Sequence, residues 1–126
     1  MSLSEVVERC YAALDRGDPQ AFLELYDPEI ELFVPGASGL DAGLVRGADT
    51  VNRWYANYFA QWTHQRWEVG ETLEHGRTVA SVVHWTGTGR RSGVTLSGKF
   101  FTAMTFSEGK LVTIVHLGGY DELLER

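Results

Sequence analysis

Ala48-Asp49-Thr50-Val51-Asn52-Arg53-Trp54-Tyr55-Ala56-Asn57-Tyr58-Phe59-Ala60-Gln61-Trp62 decides how this chain folds. Val51, Trp54, Tyr55, Tyr58, Phe59 and Trp62 stand at i, i+3, i+4, i+7, i+8 and i+11, which predicts one helix with a wide aromatic stripe. A stripe that broad has to be buried, and the rest of the chain must supply the surface that buries it.

Downstream of Trp62 the period drops to two. A strand near 64–74 sets Trp67, Val69 and Leu73 against Arg66, Glu68 and Glu74, and a second near 77–86 is rich in β-formers. Gly87 to Gly93, with Arg90-Arg91 inside it, reads as a turn. A long strand from Val94 to Phe106 follows, and Ser107-Glu108-Gly109-Lys110 turns it into Leu111–Leu117. Gly118-Gly119 ends that strand, and residues 120–126 read as a last helical turn or a frayed tail.

Upstream, Ser2 with Glu5 forms a capping box ahead of Val7, Cys10, Tyr11 and Leu14 at helical spacing, and Gly17 stops that helix. Asp18-Pro19 opens a short second helix carrying Phe22, Leu23, Leu25 and Tyr26. Ile30 to Val34 is a first strand with Ile30, Leu32 and Val34 on one face. Residues 35–47 hold Pro35 and four glycines and read as a loop, in which Asp41 is a candidate carboxylate at the pocket mouth or simply a solvated one. The expected order is α-α-β-α-β-β-β-β: an α+β domain whose four sequential strands form a curved antiparallel sheet around the long helix. Such a wrap leaves a cone open at one end.

The chain is 126 residues long, with 11 Lys+Arg against 17 Asp+Glu and a formal charge of −6. That length suits one domain, 1–126, able to bury a core without staples. A lone Cys10 excludes an internal disulfide, and no spaced Cys/His set suggests zinc. Net acidity argues against nucleic acid as a partner. No apolar run is long enough for a membrane span, and the N-terminus lacks the regions of a signal peptide, so a cytoplasmic protein is expected. No phosphate-cradling glycine loop or metal-ligand cluster is visible, so neither cofactor nor metal is expected.

Residues 10–18 (Cys10-Tyr11-Ala12-Ala13-Leu14-Asp15-Arg16-Gly17-Asp18), Leu25-Tyr26, Gly47-Ala48 leading into Trp54-Tyr55-Ala56-Asn57, Met104-Thr105-Phe106 and Gly109-Lys110-Leu111-Val112 occur in that order along nearly the whole chain. In this the chain resembles the SnoaL-like and ketosteroid-isomerase-like branch of the NTF2-like superfamily. The resemblance implies an α+β cone, frequently a homodimer through the outer face of the sheet. It also implies functions ranging over isomerases, polyketide cyclases, hydrolases and ligand carriers, and fold alone does not choose among them.

The ketosteroid isomerase residues can be compared one by one. The Ala12-Ala13-Leu14 register puts Cys10 where the family's first-helix tyrosine stands, Val34 at its base and Thr102 at its oxyanion aspartate. Those three groups are lost. Tyr11 is one residue off, about 100° around the helix. Tyr26 and Tyr55 match two tyrosines of the family's supporting network.

A three-residue hairpin loop at Glu108-Gly109-Lys110 would pair Thr102 with His116, Met104 with Ile114 and Phe100 with Gly118. The resemblance turns Thr102 inward, so His116 would point into the cone, whereas a two-residue loop would turn it out. His116 is therefore the candidate base or acid, with Thr102 and Tyr55 (or Tyr26) as candidates to hold a substrate oxygen. The same resemblance turns Val83 and Trp85 inward and His84 outward, so the expected pocket lining is Cys10, Leu14, Tyr26, Val34, Trp54, Tyr58, Val83, Trp85, Phe100, Met104 and Ile114. The bland alternatives are an aromatic core, a buried histidine bonded to a neighbour, and an inert Cys10. His64, His75 and the Glu68, Glu71 and Glu74 edge are expected in water, so no acid pair marks the cone as an epoxide hydrolase.

Three functions fit: a cofactor-independent isomerase- or cyclase-type enzyme that abstracts a proton from a small hydrophobic carbonyl compound, a non-catalytic binder of a small hydrophobic molecule, or a dimeric interaction module using an outer sheet face around Phe101. An apolar pocket with one or two polar groups suits an organic ligand.

Overall fold

The computed structural model describes residues 1–34 and 43–117, with the backbone alone at Leu117. The expectations for Asp41, for Gly118 opposite Phe100 and for 120–126 lie outside the described residues. Helix α1, Leu3–Asp15, opens on the capping box: Glu5 N donates to Ser2 Oγ at 3.1 Å and Ser2 N donates to Glu5 Oε1 at 2.9 Å. It buries Val7, Cys10, Tyr11 and Ala13. Gly17 takes φ +86°, a region glycine enters freely, and turns the chain into the short α2, Gln20–Leu23. There Gln20 N donates to Asp18 Oδ1 at 3.0 Å.

Strands β1 (Tyr26–Val34) and β2 (Gly43–Arg46) precede helix α3 (Ala48–Phe59), and β3 (Trp62–His75), β4 (Thr78–Gly89), β5 (Thr95–Ser107) and β6 (Lys110–Leu117) follow it. They form one unclosed sheet in the order β2-β1-β6-β5-β4-β3. Neighbours run antiparallel except β1 and β6, which are parallel and join the two halves of the chain. Helix α1 packs over β3 and β4, and α3 over β1, β2 and β3. Ile30, Leu32, Val34, Val79, Val83, Trp85, Leu111 and Ile114 fill the core beneath them. Among the described residues no helix is long and apolar enough to cross a membrane.

Four local expectations are corrected. β1 begins at Tyr26, not Ile30, and reaches the regular pairing from Glu31 onward through a register shift. Residues 43–46, read as the end of a loop, form β2, because Leu44 pairs with Phe33 and Val45 with Leu32 on the free edge of β1. Helix α3 ends at Phe59. Trp62 continues the helical spacing in sequence but is the buried first residue of β3. Leu73 leaves the core face and is 70% exposed, because the β3–β4 ladder shifts register between Val69 and Thr72 and reverses the parity beyond it.

Candidate functional site

Between the sheet and the three helices lies a hollow of about 120 Å³. Its wall carries Tyr11 and Leu14 of α1, Phe22 of α2, Tyr26 of β1, and Trp54, Tyr55, Tyr58 and Phe59 of α3. The sheet adds Trp67, Trp85, Phe100, Met104, Ile114 and His116. Among the described residues no aspartate, glutamate, lysine or arginine belongs to that lining. The aromatic stripe of α3 explains it. Of this helix only Val51 is fully buried, and its four large rings are half-buried because they face the hollow rather than solid core.

The direction of His116 depends on the β5–β6 hairpin. The loop has two residues, not three: Ser107 pairs with Lys110 and Phe106 with Leu111. Glu108 and Gly109 both take positive φ, 51° and 79°, the pattern of a type I′ turn whose twist matches the strands it joins. Left alone, that turn would send residue 116 to the outer face. A bulge at Val112 adds one residue to β6, and from Thr105↔Thr113 onward the pairing becomes Met104↔Ile114 and Thr102↔His116. Burial records the change of phase, since Leu111 and Ile114, three apart, are both buried. The loop length expected from sequence is corrected, while the pairing of Thr102 with His116 stands.

Ser81 pairs with Thr102 and Thr102 with His116, so a polar row crosses β4, β5 and β6 inside an apolar face. Ser81 and Thr102 are buried. The hydroxyls of Tyr11 and Thr102 lie 3.5 Å apart, a long hydrogen bond in which either can donate. Tyr11, one residue from the family's tyrosine position, thus reaches the hollow and Thr102. Neighbouring positions of α1 are both buried, the tyrosine against the hollow and the cysteine in the core behind it.

His116 stacks on Phe100, centroids 4.6 Å apart and 16° from parallel, with Trp54 and Tyr55 each 6.4 Å away. Its Nδ1 is sealed from solvent and has no hydrogen-bond partner among the described residues. Burial pushes the His116 pKa down to about 4, so the ring is neutral at physiological pH. Burial, reinforced by the neighbouring Tyr26, Tyr11 and Tyr58, raises the Tyr55 phenol, and burial raises Tyr11 and Tyr26 as well. All three remain hydrogen-bond donors.

Of the residues expected at the pocket, Leu14, Tyr26, Trp54, Tyr55, Tyr58, Trp85, Phe100, Met104, Ile114 and His116 come together on its wall. Cys10, Val34 and Val83 do not. They are core residues, and burial pushes the Cys10 thiol up to about 11, leaving it protonated. Thr102 stands just behind the wall, reached through Tyr11. His84 faces outward, paired across the ladder with Glu68. Sequence reasoning missed Tyr11, Phe22, Phe59 and Trp67 as lining. Phe59 was legible as part of the stripe, and Trp67 as the inward residue of its strand.

The SnoaL-like domain family matches residues 7–114. The chain belongs to that family. An uncharacterized protein of Mycobacterium tuberculosis is 43% identical over 47 residues, covering 37% of this chain and 35% of that protein. The match thus spans about a third of the relative's length. An NTF2-like protein of unknown function from Burkholderia pseudomallei superposes with a TM-score of 0.83 at 22% identity, covering 99% of this chain and 97% of that one. TerC, co-crystallized with polyporic acid, superposes with a TM-score of 0.77 at 23% identity over 98% of both chains. The SnoaL-like domain therefore has the NTF2-like cone, with its hollow at the place where helices and sheet converge.

Proposed function

We propose that this SnoaL-like domain binds a small, uncharged, ring-sized carbonyl compound in the hollow and acts on it without a cofactor, as an isomerase- or cyclase-type enzyme with His116 as its acid–base group. The observation that carries this is a single neutral imidazole, among the described residues, in an aromatic hollow whose other described ionisable groups are phenols. An uncharged lining disfavours a charged ligand, which would lose its hydration without a partner. A volume of about 120 Å³ is near the roughly 150 Å³ that holds benzene in an engineered apolar cavity. One ring fits. The co-crystal of TerC with polyporic acid supports a small-molecule role for this kind of cone.

In such a reaction a proton leaves the carbon next to the carbonyl, the negative charge moves to oxygen, and a proton returns at a second carbon. Tyr55, kept protonated, donates to the oxygen as charge develops, and the Tyr11–Thr102 pair backs the same region. The test is α-proton exchange of monocyclic ketones in deuterated water, followed by NMR. Wild type should exchange them at least tenfold faster than His116→Gln. Equal rates in both would remove His116 from the chemistry.

A second reading, a non-catalytic binder, is favoured by the missing partner at Nδ1 and by the weak basicity of a ring that titrates near 4. Saturable binding of the same ketones with no exchange would select it. The proposal includes a homodimer across the outer sheet face, supported by Phe33, Leu44 and Phe101, which are 43%, 57% and 39% exposed there.

A further inference from the structure

We propose that Trp54 is a positioning residue for His116: its indole N–H donates to the imidazole Nδ1, so that Nε2 carries the proton and presents it to a carbonyl oxygen in the hollow. Trp54 Nε1 and His116 Nδ1 are both enclosed, and neither has a hydrogen-bond partner among the described residues. Buried polar atoms without partners are rare because each gives up its bond to water for nothing. These two belong to neighbouring rings on one wall, 6.4 Å between centroids. Their chemistry permits one match. An indole nitrogen only donates, whereas an imidazole nitrogen accepts when it is unprotonated.

The ring spacing is compatible with that bond. Two rings joined edge to edge through N–H···N have centroids roughly 5.5–6 Å apart, so the bond needs an approach of about 1 Å or less with the two nitrogen edges turned toward each other. The 59° tilt between the planes is compatible, since rotation about the N···N line leaves the bond intact. Each ring is held by a stack that allows such an approach, Trp54 on Tyr58 at 5.8 Å and His116 on Phe100 at 4.6 Å. The competing partner for Nδ1 is Thr102, opposite His116 in the ladder, whose hydroxyl can donate while accepting from Tyr11; the Thr102→Val variant below separates the two partners.

With Nδ1 occupied as an acceptor, the Nε2–H of His116 faces the hollow in the free protein and offers a ligand oxygen a hydrogen bond. The ligand class then narrows to compounds whose oxygen accepts, ketones or aldehydes. This choice of ligand rests on the function proposed above, but the tautomer is a property of the free protein and is tested without ligand.

The experiment is a long-range proton–nitrogen correlation spectrum of the uniformly labelled chain at pH 7. The expected result is His116 with Nδ1 in the unprotonated range and Nε2 in the protonated range, in about five- to tenfold excess, the weight of one net hydrogen bond. Trp54→Phe should collapse that excess toward a mixture, while Thr102→Val should leave it unchanged. A protonated Nδ1 in wild type, or an excess that moves with Thr102→Val and not with Trp54→Phe, would overturn the proposal. Because the wild-type spectrum is decisive alone, failure of a variant to fold does not rescue it. A correct tautomer in a protein that binds no ketone would instead sink the functional reading and leave the positioning of His116 standing.

Discussion

Phe100 and His116 lie face to face across the β5–β6 ladder, 4.6 Å apart and 16° from parallel. Phe100 sits two residues before Thr102, the ladder partner of His116, so the stack runs diagonally over the pleat. One face of the imidazole is thereby dry, and that side of the ring offers an incoming proton no solvation.

His116 should accordingly make the protein acid-sensitive. Its folded pKa is about 4 against 6.5 for the free side chain, so between those values the unfolded chain binds a proton that the folded one refuses. Stability is full above pH 6.5 and falls as pH drops toward 4. The loss is on the order of 3 kcal/mol. Denaturant titrations at pH 7 and 4 should show wild type losing that much more than His116→Gln, which has no such titration. Equal losses would mean that the ring is hydrated.

Gly87→Ala should destabilise the fold by about 1–3 kcal/mol through overpacking. The Trp85 indole lies over residue 87, and a Cβ there would stand 2.7 Å from Trp85 Cη2. Because Trp85 also lines the hollow, its near-ultraviolet circular dichroism should change with the melting temperature. An unchanged spectrum would show that the ring has room to move.

Asp15 ties the end of α1 to β3, accepting from Arg66 Nε at 2.9 Å, Arg66 Nη2 at 3.0 Å and Trp67 N at 2.8 Å. The Arg66 bonds first, and the Trp67 amide second, hold its carboxyl below the usual range. Asp15→Ala should cost about 1 kcal/mol, chiefly from the freed Trp67 amide, whereas Arg66→Ala, which removes only the exposed partner, should cost less. The contribution of Asp15 is present above the ordinary carboxyl pKa and vanishes as the pH falls through its lowered value. Chemical melts of both variants at neutral and acid pH check the order.

Phe33→Glu should turn the proposed dimer into a folded monomer. Phe33 pairs with Leu44 and Val115 on the outer face and takes no part in the hollow. Sedimentation of wild type across concentrations is expected to show a dimer, and the variant a monomer with unchanged circular dichroism. A wild-type monomer at every concentration would count against the interface.

Long-period signals were the legible part of this molecule. The stripe on α3 and the alternation along the strands follow from repeats of 3.6 and 2 that burial enforces, whereas the inward direction of Val83, Trp85 and Thr102 came from the family resemblance. What escaped was set by single residues. Trp62 fits the helical spacing, but Ala60 and Gln61 already turn the chain, and the indole serves the same core from a strand. β2 is too short for alternation to show, and it exists because β1 offers it an edge. Tyr11 stands one residue, about 100°, from the family's tyrosine position, yet α1 packs over both β3 and β4, so positions 10 and 11 are both buried.

The phase of β6 is the product of two offsets that cancel, a tight turn at Glu108-Gly109 and one surplus residue at Val112. The inward histidine therefore depends on where the surplus residue sits: with Val112 kept but the bulge ironed flat, residue 116 would fall opposite Phe101 and its ring would turn to the convex side. Deleting Val112 removes the surplus together with the bulge, restores a regular ladder and leaves His116 opposite Thr102.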